Sequence, residues 1–181
     1  MNREKYLRRK IRLLTALFMA GLIVSGVTAI PLILEVDFLA KMTRAQEFVQ
    51  QPASVSTPAW AIWLIKVQRA LHAVSLTKPF LFYGTDWLAF GHFIIALVFI
   101  GAIRDPLRNA WLFTFGIMAC LLVIPYALVC GAIRGIPIWW RLIDCSFGVL
   151  GIIPLMFCRK WVRELNQNPT ESLERRFIIS D

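Results

Sequence analysis

The chain has 181 residues, 58% of them hydrophobic and 17% charged, with a formal net charge of +9. A soluble domain of this size carries about 25% charged residues and has no interior large enough for so much apolar side chain, so the surplus belongs in lipid. The basic excess does not indicate nucleic acid: the cations flank apolar runs, where they meet anionic lipid headgroups.

Residues 1–12 hold six cations, Arg3, Lys5, Arg8, Arg9, Lys10 and Arg12, ahead of the first apolar run, 13–34, "LLTALFMAGLIVSGVTAIPLIL". A bilayer core about 30 Å thick needs roughly 20 apolar residues in helix, and this run supplies them as span 1. A secretory leader is the rival reading, because Val27-Thr28-Ala29 has the small-residue character of a cleavage site. The apolar run continues past that point to Leu34, which suits an anchor. "RRKIR" echoes a twin-arginine signal weakly and reads better as a topology anchor.

Residues 35–86 are too polar to span and are expected on the extracytoplasmic side. Two helical stripes lie within them. In 37–50 the spacing picks out Phe38, Met42, Ala45 and Val49. In 59–76 it picks out Trp60, Trp63, Leu64, Val67, Leu71 and Val74, with Thr57 as the expected cap and Pro58 as the first helical residue. Trp on one face and Lys66, Arg69 and His72 elsewhere describe an amphipathic helix suited to the membrane interface or to a lid.

Three further spans follow. Span 2 is 87–103, span 3 is 110–130 and span 4 is 139–158. The 104–109 turn, "RDPLRN", carries Asp105-Pro106 turn chemistry and Asn109 as the expected cap of span 3. The 131–138 turn, "GAIRGIPI", returns span 4 beside span 3, and residues 159–181 form a tail. Backbone amides in hydrocarbon must pair internally, so each span is a helix. The fold class expected is all-α: a polytopic four-helix transmembrane bundle in a single membrane domain, 1–181, with an extracytoplasmic amphipathic segment.

Orientation follows from Lys and Arg. The 1–12 segment, the 104–109 turn and the 159–181 tail together carry 13 of the 20 basic residues. Both ends are therefore expected in the cytoplasm. Trp87, Trp139 and Trp140 then mark the outer interface, and Trp111 and Trp161 the inner one. Strong charge asymmetry and compact loops suit a bacterial inner membrane.

The four cysteines, Cys120, Cys130, Cys145 and Cys158, have no zinc-ligand spacing. They read as packing residues within spans, with a Cys130–Cys145 disulfide as the alternative.

Polar groups concentrate near the outer ends of the spans. Asp86 and His92 belong to span 2, Arg134 to the outer turn, and Arg141 and Asp144 to span 4. Arg141 and Asp144 are three apart and share a face with Gly148 and Gly151, which lets span 4 approach a small-residue stripe on span 3 (Gly116, Cys120, Ala127, Cys130). Ionisable groups in a membrane are rare and mark function or pairing. The five residues are the candidate ligand-binding set, with His92 and Asp144 the candidate catalytic pair. The structural alternative is that Arg141 snorkels to the headgroups and Asp144 pairs with it or with Arg134 to fix helix packing.

Two functions are consistent with this pattern. One is an accessory or amphipath-binding subunit, whose partners are membrane lipids, with another membrane protein subunit as a further candidate. The other is a membrane enzyme in which His92 and Asp144 exchange a proton and Arg134 or Arg141 holds an anionic group. No hydrolase signature or phosphate-binding loop accompanies them. No metal or cofactor is expected. Haem with two axial histidines would require both His72 and His92, and His72 lies outside the spans.

Overall fold

The computed structural model describes residues 3–50 and 56–167. Among these there is no strand, and the chain is all-α. The helices are α1 (Arg3–Ala29), α2 (Leu32–Met42), α3 (Ala45–Val49), α4 (Ala59–Thr77), α5 (Tyr83–Val98), α6 (Ile100–Arg104), α7 (Trp111–Ile133) and α8 (Ile138–Gln167), with a 3-10 turn over Pro79–Phe82. Four helical runs are long and apolar enough to cross a membrane: Arg3–Ala29, Pro79–Arg104, Trp111–Ile133 and Ile138–Gln167. Only 17–22% of the most apolar stretch of each is buried inside the protein. Their remaining apolar faces point outward, as in an integral membrane protein, where lipid replaces a protein interior.

The observed bounds differ from the apolar runs for local reasons. α1 begins ten residues before the expected span and stops at Ala29, because proline at 31 disfavours helical backbone in the residue before it. Beyond its opening 3-10 turn, the run Pro79–Arg104 tightens again where the Phe99 amide donates to the Ala96 carbonyl at 3.1 Å. α7 ends in a Schellman motif. The amide of Ile136 bonds the Gly131 carbonyl, that of Gly135 bonds the Ala132 carbonyl, and Gly135 takes φ +69°. Glycine occupies that left-handed position without the steric penalty of a Cβ. The expected tail, 159–181, is helical as far as Gln167, and its remainder, 168–181, lies outside the described residues, as do residues 51–55 of the 35–86 segment.

The chain divides into two compact units, 1–21 with 96–181, and 22–95. In the first, here the terminal unit, parts of all four span-length runs pack together. Phe18 and Phe99 stack at 5.0 Å between ring centroids. Ile11, Phe99, Phe113, Leu155 and Cys158 are fully buried. The buried positions of α8, namely Cys145, Gly148, Leu155, Cys158 and Val162, recur at helical spacing and form one stripe. Gly148 and Gly151 meet Cys120 of α7, and Gly116 meets Leu155 and Phe99. The small-residue faces expected on spans 3 and 4 thus do meet.

In the second, central unit, α2, α3 and α4 enclose a core of Val36, Ala40, Ala45, Ala61, Leu64 and Ile65. The stripe expected over 37–50 holds only in its second half: Phe38 and Met42 are 66% and 67% exposed, whereas Ala45 is in the core and Val49 packs against it. A single helical period cannot run through this segment, because Arg44 adopts φ +54° and separates α2 from α3. Thr57 does not cap α4. The helix starts one residue later, at Ala59, with Pro58 in the cap position, and the Thr57 hydroxyl donates to the Phe48 carbonyl at 3.4 Å. Nor does Asn109 cap α7. Its side-chain amide donates backward to the carbonyls of Gly101 and Asp105, both at 3.0 Å, and so fastens the turn.

Candidate functional site

In the terminal unit the candidate residues gather where α7 hands over to α8. The Schellman turn stops α7 at Ile133, and Pro137 supplies the carbonyl that accepts from the Trp140 and Arg141 amides, both at 3.1 Å. Arg134 sits on the turn and is exposed. Arg141 and Asp144 follow on one half-buried face of α8. The aliphatic stem of Arg141 crosses α7 at Gly131, in space that a Cβ would fill. This carries its guanidinium to the Leu128 carbonyl, 3.0 Å from Nη1. A cation near a helix C-terminus is favourable because the last carbonyls carry the negative end of the helix dipole.

The pairing of Arg141 with Asp144 does not form. Among the described residues, ion pairs join Arg3 to Glu164, Arg8 to Glu4, Arg44 to Glu47 and His72 to Asp37. Arg134, Arg141, Asp144 and Asp86 enter none of these. The Arg141 Nε is also buried without a hydrogen-bond partner.

In the central unit, Asp86 lies in the first turn of α5 and is exposed. It shares a shallow groove with Tyr83, Trp87 and Phe90, residues spaced to lie on one helical face. His92 is half-buried, and its Nδ1 lies 2.8 Å from the Leu88 carbonyl. A carbonyl can only accept, so Nδ1 carries the proton in this contact and Nε2 of the neutral ring keeps its lone pair.

The central unit holds a further polar group that the sequence pattern did not single out. Asp37 on α2 accepts from Gln68 Nε2 at 2.8 Å and from His72 Nε2 at 2.9 and 3.1 Å, both on α4. The hydrogen bond from Gln68 first, and that from His72 next, hold the Asp37 carboxyl below the usual carboxylate range. Gln68 and His72 are one turn apart, which is the only local signal. Their partner is more than 30 residues away in sequence.

All four cysteines are free thiols. Cys145 donates to the Ile124 carbonyl at 3.8 Å and Cys158 to that of Ile11 at 3.7 Å. They act as packing residues, in place of the alternative Cys130–Cys145 disulfide.

No protein-family model, curated protein or solved structure matches the chain. What these groups can do is therefore read from their own chemistry. Arg141 offers guanidinium donors beyond the one used on Leu128, Asp144 offers a carboxylate, and His92 offers a basic nitrogen.

Proposed function

We propose that the chain is a small integral membrane protein that holds the polar head of an amphipath, a lipid headgroup in the first instance. Arg134, Arg141 and Asp144 form the contact surface at one end of the terminal unit. One observation carries this reading: Arg141 and Asp144 lie a turn apart on a half-buried face and do not neutralise each other. Half-buried charges without an opposite charge to pair with are costly. A headgroup bearing both a phosphate and an amine would satisfy each. In this reading the basic segments face the cytoplasm and the Arg141 end lies near the outer leaflet of a bacterial inner membrane.

The test is the lipid that accompanies the protein through mild detergent extraction, quantified by mass spectrometry. Asp144→Asn keeps the shape and removes the charge, and a fall in retained lipid per chain is expected. Retention unchanged in both Asp144→Asn and Arg141→Gln refutes the reading.

A second reading, a membrane enzyme acting on an amphipathic substrate, is favoured by the His92 contact with Leu88, which leaves Nε2 as a general base. Its test is His92→Gln at normal membrane abundance: loss of the cellular phenotype supports a catalytic histidine, and full complementation refutes it.

A further inference from the structure

The other end of the terminal unit is built differently. Arg12 donates from Nε to the Ile103 carbonyl at 3.0 Å and from Nη2 to that of Arg104 at 3.5 Å. Cys158 donates to the Ile11 carbonyl, Lys10 lies 5.4 Å from the Trp161 ring centroid, and Arg3 pairs with Glu164. These contacts bring the start of α1, the end of α6 with its turn, and the last turns of α8 to one place.

Among the described residues, the carboxylates at this end are all engaged. Glu4 holds Arg8 and Glu164 holds Arg3, while Asp105 accepts the amides of Leu107 and Arg108 at 3.2 and 3.1 Å. Arg12 is bound to carbonyls. Lys5, Arg9, Arg104, Arg108, Lys160 and Arg163 are exposed, and among the described residues none forms an ion pair. Six exposed cations thus stand with no ion-pair partner among the described carboxylates. Trp111, at the start of α7, adds an aromatic side chain 60% exposed, and Trp residues favour the headgroup depth of a bilayer.

We infer that this end is a basic collar that selects anionic phospholipids, its exposed cations engaging the headgroup phosphates of one leaflet. The chemistry fits a lipid surface: the cations are arrayed around the ends of helices whose flanks are apolar. Each surface cation near an anionic leaflet favours association by about fivefold. The effect weakens as salt shortens the screening length. The collar uses none of the residues assigned to the amphipath site, so it stands or falls independently of that reading.

The full-length chain is equilibrated with mixed micelles of equimolar phosphatidylglycerol and phosphatidylcholine, and the lipids that stay bound are quantified. Phosphatidylglycerol should be enriched over the bulk ratio by at least about fivefold. That enrichment should decline as salt is raised from about 50 mM to about 500 mM. It should collapse in the combined Arg9→Gln, Lys160→Gln and Arg163→Gln variant and survive Arg9→Lys with Arg163→Lys, which keeps the charge. Arg12→Gln, which removes a cation already held by carbonyls, should leave the enrichment in place. A bound ratio equal to the bulk in the wild-type chain at low salt overturns the inference without any variant having to fold. So does an RNA oligonucleotide that binds the collar and displaces the lipid.

Discussion

Gly148→Ala probes the contact that fixes α8 against α7. A Cβ at this position would stand 2.6 Å from the Cys120 carbonyl oxygen. Ordinary contact begins near 3.4 Å, so the two backbones must part by about 0.8 Å, and no side-chain rotation relieves the clash because the obstructing atom is main chain. Overpacking of this kind costs about 1–3 kcal/mol. Alanine returns about 1 kcal/mol of helix propensity. The balance is a loss of about 1 kcal/mol, or about 2–4 °C in Tm for a chain of this size. Gly91→Ala is the matched control: it is also inside a helix, and nothing lies within 4 Å of the added carbon. Thermal unfolding in detergent, followed by circular dichroism, should place Gly148→Ala below wild type and Gly91→Ala at or above it. If Gly148→Ala is as stable as Gly91→Ala, α7 and α8 do not approach at this glycine and the packing argument fails.

Leu155→Ala removes a fully buried side chain that packs at Gly116 and should lower stability by about 2–5 kcal/mol in the same assay. Gly131→Ala and Arg141→Gln disrupt one latch, from opposite sides. Each should destabilise by about 1–2 kcal/mol, and the double variant should lose less than the sum of the two; additive losses would mean that the stem of Arg141 does not cross α7 at Gly131. Asn109→Ala frees the carbonyls of Gly101 and Asp105 and should lower Tm by an amount matching about 1 kcal/mol for the hydrogen bonds lost. Asp37 has a folded-state affinity for protons below that of the unfolded chain, so its contribution to stability is complete above the ordinary carboxylate range and is lost as pH falls through its lowered value. Acid titration of wild type against Asp37→Asn should show the two stabilities converging below about pH 4, whereas a constant difference down to strongly acid pH would contradict the pairing.

The spans were legible because apolar length is a property of one segment at a time. So was the meeting of Gly148 and Gly151 with Cys120, since small residues at helical spacing mark a face before the partner is known. Breaks set by single backbone conformations were less visible. Nothing in "KMTRAQ" announces that Arg44 takes a left-handed φ, and that one residue separates α2, where the expected face is exposed, from α3, where it is buried. The candidate site was readable as a set of residue types and depths, but not as a set of bonds. Arg141 has an acidic neighbour three residues along its own helix, yet it turns to a carbonyl on α7. That preference depends on the gap left by Gly131, which belongs to another element. The pairing of Asp37 with His72 was hidden for the same reason, since each is ordinary in its own helix and only the packing of α2 on α4 joins them.

A chain that crosses the membrane four times puts the Arg134 turn and the end of α8 on opposite sides of it. Cysteine accessibility measures this directly: Arg134→Cys and Lys160→Cys, each treated in intact cells with a membrane-impermeant maleimide, with the wild-type chain as the blank. Labelling of the Arg134→Cys chain from outside, and of the Lys160→Cys chain only after lysis, is the predicted result. Labelling of both from the same side would contradict the four-span topology and the outer site built on it.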